Sequence, residues 1–362
     1  VRQTGNPQTD CSGNTPAAVL DLLDGFRRTK VLATAVRLRL FDLLADRGAL
    51  STAEATTALG LAERPTHMLL TACCSLGLLD RDPGTERYRN SAQAQRFLVS
   101  TGRHYLGGFI QLVEEQQYPG WEDLLTAIRE NRPTVWDPAA RPTKFAVDDA
   151  TGEVKLFWNA MASVSSSLAE VIVLAYDFSP FRRLLDVGGG PGELGIRLCQ
   201  LNPRMRATIY DLPAVCELTA LRLRDRGLDD RVRTLGGDLL TDDELPRGHD
   251  LVTLTNVLHM WDERTNDTIL RKCHAALDDE GVLVIAEAFV DDDGTGPPPA
   301  ALMSLNMLVD TVGGANHSRA TYESMLARAG FSTVRRVPVA ADAPPGVNGL
   351  LVARKSGRPG HA

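Results

Sequence analysis

Three residues in this chain have the types and placement to do chemistry. His259 stands in Asn256-Val257-Leu258-His259-Met260-Trp261-Asp262, just past residues 250–257, which read as a strand. Glu287 closes a second strand-like run at 281–288, and His317 follows the pair Gly313-Gly314. In an open α/β sheet, ligands bind beyond the carboxyl ends of the strands, so all three are expected on one rim. A histidine ordinarily titrates near ~6.5 and can take a proton from a hydroxyl at neutral pH. A carboxylate beside it can fix its tautomer and stabilise the imidazolium. The same three side chains also form a two-histidine, one-carboxylate set, a donor type that holds iron or zinc with positions left open. His67, His104, His249, His274 and His361 have no comparable placement and read as surface or packing residues.

The elements that must position this rim begin at residues 183–187, a buried strand ending in Asp186-Val187-Gly188-Gly189-Gly190-Pro191-Gly192. Residues 193–201 follow at helical spacing. A glycine turn between strand and helix lets a ligand approach the backbone, because no side chain stands in the way. Residues 206–210 read as a second strand ending in Asp211, which falls about twenty residues past the glycines, where an acid meets ribose hydroxyls in a doubly wound sheet. Residues 232–239 add a third unit with Asp238. Two acids and a Pro-Gly turn suit a ligand with a ribose, an exocyclic amine and a positive charge but no phosphate. S-adenosylmethionine fits that description, whereas a dinucleotide would bring its phosphates against Asp186. Further on, the pattern predicts helices at 266–276, 302–309 and 321–329, a loop at 291–300, and strands at 334–339 and 348–353 paired antiparallel at the sheet edge.

The N-terminal half reads differently. Residues 1–15 are expected to be a disordered tail. Residues 19–26 and 31–44 read as two helices with broad apolar faces, which suits burial against a second subunit. Ser51-Thr52-Ala53-Glu54 matches a capping box opening a short helix to Gly60, and Pro65 is expected to start the next. A small hairpin is expected over 80–90. Helix, helix, hairpin is a winged-helix order. A dimerisation module is favoured over a DNA reader, because Leu69, Leu70, Cys73 and Leu76 would crowd a recognition helix. Residues 105–112 and 121–128 read as linking helices joined through 114–120. Residues 131–142 read as a proline-rich loop with Trp136 exposed or folded over a pocket. A long helix follows at 155–173, where spacing alone assigns Phe157 and Met161 to the core.

Composition bounds the rest. With 362 residues, 43% hydrophobic composition and net charge -7, the chain exceeds one typical domain and does not suit wholesale binding to nucleic acid or anionic membranes. No run is read as a membrane span and no signal peptide is read at the start. The six cysteines form no C-x-x-C pair, so a reduced cytoplasm is the expected setting. The expected division is a tail at 1–15, a winged-helix-like dimerisation domain at 16–102, linking helices and a substrate-pocket lid at 103–179, and a cofactor-binding domain at 180–355.

Taken together, these motifs resemble the S-adenosylmethionine-dependent small-molecule O-methyltransferases, the family of plant caffeate and flavonoid methyltransferases, hydroxyindole O-methyltransferase and bacterial natural-product enzymes. The resemblance runs from about residue 16 to 354 and rests on the glycine turn, Tyr210-Asp211-Leu212-Pro213, Gly236-Gly237-Asp238, Val257-Leu258-His259-Met260-Trp261, Ala286-Glu287 and Gly313-Gly314 before Ala329-Gly330-Phe331. It implies an α/β, Rossmann-like methyltransferase domain with an N-terminal helical, winged-helix-like dimerisation domain, acting as a homodimer on small molecules. It implies that Gly188 and Gly190 approach the methionine end of the cofactor, that Asp211 with Leu212 holds the ribose, and that Asp238 and Leu239 sit at the adenine. Ser165 and Met161 match positions near cofactor and substrate, and Phe157, Asn256 and Trp261 are expected at the substrate. His259 matches the general base and Glu287 an acid that orients it.

Three departures stand out. Met260 replaces the usual Asp after the base, Thr255 and Asn256 stand where many members carry a basic residue, and Ala315-Asn316-His317-Ser318 replaces a charged run, so the second orienting acid becomes Asn316. O-methylation of an aromatic or polyketide-derived hydroxyl, with His259 as base and no metal, is the favoured expectation. The alternative is a metal-dependent C-methylation of an α-keto acid with His259, Glu287 and His317 as ligands. A ligand-binding transcriptional regulator is the more distant one.

Overall fold

The computed structural model describes residues 16–141, 152–340, 343 and 346–356. The expected tail at 1–15, Pro142 and His361 lie outside these. The chain divides after Tyr105 into two units.

The first unit contains α1 (Ala17–Arg37), α2 (Leu40–Arg47), α3 (Thr52–Leu59), α4 (Glu63–Ser75), the antiparallel hairpin β1 (Leu79–Arg81) and β2 (Tyr88–Asn90), and α5 (Ala92–Phe97). α1 is one helix where two were expected. The helix runs through the polar stretch Arg27-Arg28-Thr29-Lys30, where Arg27 and Arg28 are exposed and paired to Asp24 and Asp21. The break comes at Arg39, in the left-handed region at φ 55°. The capping box at α3 is formed: the Glu54 N–H donates to Ser51 Oγ at 3.3 Å and the Ser51 N–H to the Glu54 carboxylate at 2.8 Å. α4 begins two residues before Pro65, which its first turn tolerates because that N–H needs no helical partner. Along α1, Val19, Leu20, Leu22, Leu23 and Phe26 are exposed by 52–80%.

The second unit opens with α6 (Gly107–Leu112), a π-helical turn (Val113–Gln117), α7 (Tyr118–Glu122) and α8 (Leu124–Glu130). The joint expected at 114–120 is thus helical, since Glu-Glu-Gln-Gln are helix formers. α9 (Glu153–Ala175) precedes the α/β part: β3 (Arg183–Val187), α10 (Glu193–Leu201), β4 (Arg206–Asp211), α11 (Pro213–Asp225), β5 (Val232–Gly236), β6 (His249–Thr255), α12 (Glu263–Ala276), β7 (Leu277–Glu287), α13 (Pro298–Asp310), α14 (Arg319–Arg328), β8 (Phe331–Pro338) and β9 (Gly349–Lys355).

The seven strands lie in the order β5-β4-β3-β6-β7-β9-β8. The first five are parallel, while β9 runs antiparallel to both β7 and β8 at the edge, as expected. Strand order reverses between β3 and β6, which is where an open α/β sheet leaves a crevice for a ligand. Side chains alternate across the sheet. Leu184, Ile209, Leu251 and Val284 pack on one face with Leu168 and Ile172 of α9. Leu185, Val252, Leu283 and Ile285 pack on the other with α12 and α14.

Two local expectations are corrected. Trp136 is buried rather than exposed, and its indole N–H donates to the Asp310 carbonyl at 2.8 Å. Residues Val154–Ala175 are long and apolar enough for a membrane span by length and composition. Its apolar residues serve the cavity and the core instead: Phe157 and Met161 line the cavity described next, and Leu168, Ala169 and Ile172 both line it and join the core.

Candidate active site

A cavity of about 480 Å³ opens at the carboxyl ends of β3, β4 and β6, beneath α9. Its floor is the glycine turn. Gly188, at φ 65°, donates its N–H to the Tyr210 carbonyl at 2.8 Å, and a Cβ there would come within 2.8 Å of Val257. Gly190, at φ 52°, faces open space. Both positions need glycine, one for conformation and packing together, the other for conformation and for access by a ligand.

Asp211 is held ready at the end of β4. Its carboxylate accepts the Gly190 N–H at 2.8 Å and the Leu212 N–H at 2.7 Å. Each oxygen keeps a lone pair for a hydroxyl donor. Burial pushes the Asp211 carboxyl above the usual carboxylate range. Beneath the turn, Asp186 accepts from Thr253 Oγ1 at 2.7 Å, and burial, with the Asp211 charge adding to it, pushes its carboxyl up to about 6. Asp238 accepts the Leu240 N–H at 2.8 Å. The strand-end residue Tyr210 donates its hydroxyl to Asp242 at 2.5 Å, and Lys272 donates to the carbonyls of Leu239 and Asp242.

The cavity wall brings together Gly188, Gly190, Asp211, Leu212, Asp238 and Leu239, the expected cofactor residues. Ser165, Met161 and Phe157 reach it from α9, and Asn256 and Trp261 from beyond β6. Phe157 and Met161, which spacing alone would bury in the core, therefore face the cavity. These residues are chemically suited to S-adenosylmethionine: acids able to accept from hydroxyl and amine donors, an open glycine cradle, and carboxylates that favour a cation.

His259 sits on a short 3-10 turn, Leu258–Met260, between Val257 and Met260, which both line the cavity; it does not itself form the wall. It is 8% exposed. Its Nδ1 lies 2.6 Å from Glu287 Oε2. Glu287 is fully buried, and its Oε1 accepts the backbone N–H of Leu258 at 3.0 Å and of His259 at 3.4 Å. With Glu287 as acceptor, Nδ1 carries the proton and Nε2 keeps its lone pair. Asn266 grips the same turn from α12, donating to the carbonyls of Leu258 at 2.9 Å and Trp261 at 3.2 Å.

The two remaining sequence candidates fall elsewhere. Asn316 does not clamp His259: its Nδ2 donates to the Ala288 carbonyl at 2.8 Å, and its buried Oδ1 has no partner among the described residues. His317 packs its ring edge-on against Tyr322, 5.6 Å between centroids, and burial holds its pKa below the ordinary value. Among the described residues no group of three or more His, Cys, Asp or Glu is placed to hold a metal. The set His259, Glu287 and His317 is thus not assembled as ligands, because Glu287 is spent on His259 and its turn.

Sequence reasoning missed α11, Asn266, and the cavity residues Trp158 and Glu193. Pro213 at the first helical position was a legible start signal for α11. The partnership of Trp158 with Thr219, described below, joins residues too far apart for any local signal.

A mostly parallel sheet with a reversal crevice, a glycine cradle and a ribose-type acid defines a Rossmann-like nucleoside-cofactor domain. Residues 121–332 match the O-methyltransferase domain, and residues 20–100 the O-methyltransferase dimerisation domain. The chain is 39% identical to the 3-hydroxy-5-methyl-1-naphthoate 3-O-methyltransferase of Streptomyces sahachiroi, over 94% of this chain and 96% of that one. It is 32% identical to the N,N-dimethyltransferase OxyT of Streptomyces rimosus, over 87% and 90%. The crystal structure of human N-acetylserotonin methyltransferase in complex with SAM aligns with a TM-score of 0.83 at 28% identity, over 95% of this chain and 99% of that one. The chain belongs to the O-methyltransferase family and is an S-adenosylmethionine-dependent methyltransferase.

Proposed function

We propose that the protein methylates a hydroxyl of a small aromatic or polyketide-derived natural product, with His259 as general base, working as a homodimer. The observation that supports this most is the buried Glu287 on His259 Nδ1, since it fixes the tautomer that keeps Nε2 basic. The naphthoate O-methyltransferase relative supports oxygen as the acceptor atom. Bound in the cavity, S-adenosylmethionine supplies an electrophilic methyl group on a sulfonium.

The chain's own residues do the rest. Asp211 and Leu212 hold the ribose, Asp238 and Leu239 the adenine edge, and Gly188 and Gly190 admit the amino-acid end, with Ser165 beside it. Phe157, Met161, Asn256 and Trp261 hold the acceptor. His259 Nε2 takes the hydroxyl proton as the oxygen attacks, and Glu287 stabilises the imidazolium. A phenol has a pKa near ~10, so at pH 7 about one in a thousand is ionised, and a base has much to contribute. Residues 16–102 would serve the subunit interface, residues 103–179 the acceptor pocket and residues 180–355 the cofactor. The exposed apolar face of α1 supports pairing of two copies.

The test is His259→Ala, assayed on a panel of phenols with mass-spectrometric detection. Turnover should fall by at least about a hundredfold, within the 10²–10⁴ that a general base supplies, with S-adenosylhomocysteine affinity unchanged. His317→Ala should be mild. Turnover within threefold of wild type in His259→Ala would refute the role.

A further inference from the structure

Helix α9 is fastened to the cofactor turn by a relay that the reaction scheme above does not use. The Trp158 indole N–H donates to Thr219 Oγ1 at 3.0 Å, and Thr219 Oγ1 donates to the Gly190 carbonyl at 2.8 Å. The Gly190 N–H in turn donates to Asp211 at 2.8 Å. One hydroxyl thus accepts from α9 and donates to the turn, which fills its capacity in the direction of the relay. Thr219 is fully buried, so water does not compete for these bonds.

The face of the same indole carries Arg222, 5.6 Å from the ring centroid. Arg222 pairs with Glu193, which is buried, lines the cavity and also pairs with Arg226 at 3.1 Å. Trp158 is therefore linked to the turn through Thr219 and to the first residue of α10 through Arg222, on either side of Pro191 and Gly192. Its neighbours on α9, Phe157 and Met161, face the cavity.

We propose that Trp158 is a positioning residue for the cofactor. Through Thr219 it holds the Gly190 carbonyl and so steadies the backbone of the turn whose Gly190 N–H donates to Asp211, and it ties that geometry to the helix bearing the proposed acceptor residues. Neither Trp158 nor Thr219 takes part in proton transfer, so removing the relay weakens cofactor binding and leaves chemistry at saturation intact. This rests on S-adenosylmethionine binding and not on the role of His259.

The experiment compares Trp158→Phe, Thr219→Val, Thr219→Ser and the Trp158→Phe/Thr219→Val pair. S-adenosylhomocysteine binding is measured by calorimetry, and KM for S-adenosylmethionine and kcat with an accepted phenol. Trp158→Phe keeps an aromatic ring beside Arg222 but loses the N–H and part of the indole's area, so the comparison with Thr219→Val, which leaves the ring whole, isolates the hydrogen bond. It and Thr219→Val should each raise Kd and KM about fivefold to tenfold, with kcat within twofold. The pair should be no worse than Thr219→Val alone, and Thr219→Ser, which keeps the hydroxyl, should bind like wild type. Unchanged Kd in Trp158→Phe, additive losses in the pair, or equal loss in Thr219→Ser would each overturn the proposal. Failure of the wild-type protein to bind would instead overturn the cofactor assignment. Melting temperatures and kcat separate general destabilisation from the binding effect, since a merely structural role would lower both along with affinity.

Discussion

Replacing Glu287 with glutamine tests how the base is prepared without emptying its pocket. The native carboxylate has two jobs: Oε1 accepts the N–H groups of Leu258 and His259, and Oε2 accepts from His259 Nδ1. Glutamine cannot do both. If its amide oxygen stays on the two backbone donors, its NH₂ faces Nδ1, and the imidazole must turn its lone pair there and carry its proton on Nε2. The nitrogen that should accept the substrate proton then already carries one. If the amide flips, its NH₂ meets two backbone N–H groups in a fully buried place, which costs about 1–3 kcal/mol for the donors left unmatched. The imidazolium also loses a hydrogen bond to a charged partner, worth about 1.5–3 kcal/mol, or roughly 10–150-fold in rate. Wrong tautomer and lost counter-charge together predict a fall in kcat of about a hundredfold. Single-turnover methyl transfer should show it, with S-adenosylhomocysteine affinity by calorimetry within twofold of wild type. Retention of more than a third of the rate would refute the reasoning. So would an equal loss of cofactor binding, which would mean that the rim had collapsed.

Three further outcomes follow from the site. Asp211→Ala should weaken S-adenosylmethionine binding by about 1.5–3 kcal/mol by calorimetry, since it removes bonds to a charged acceptor and frees the Gly190 and Leu212 N–H groups. Asp186 has its carboxyl raised to about 6 by burial, so it gains a proton in the free protein as pH falls through that value. A cationic ligand favours the ionised form. Affinity for S-adenosylmethionine should therefore drop between pH 7 and pH 5, and drop less for S-adenosylhomocysteine, which lacks the sulfonium charge; Asp186→Asn should flatten the difference. Light scattering should give the mass of two chains, and Leu23→Glu on the exposed face of α1 should shift it toward one.

Local chemistry made much of this legible. The glycine turn, Asp211 and the strand-end position of His259 are each announced by neighbours in the chain, and the observed sheet puts them on one rim. The capping box at Ser51 and Glu54 likewise needs no tertiary contact. What escaped notice depends on packing. The polar start of β7, Asp278-Asp279-Glu280-Gly281, does not look like a strand, yet β7 begins at Leu277 and passes through Glu280 at φ 63°. Its register against β6 shifts near that point. The polar residues 27–30 suggested a gap in what is one continuous α1. Asn316 matched a site position by frame, but its amide bonds Ala288 instead of the base. His317 looked like a ligand in one dimension and is a ring packed on Tyr322 in three.

The bare apolar ridge of α1 has a consequence for how the enzyme persists. If that ridge is satisfied only by a second copy, stability becomes a function of abundance, because association that favours the folded state adds to it by mass action. A dilute preparation would then melt earlier than a concentrated one of the same sequence. In a cell, a chain made faster than it pairs would present Leu22, exposed by 80%, and its neighbours to whatever is nearby. Partner supply would set the lifetime of the catalyst as surely as any contact inside it.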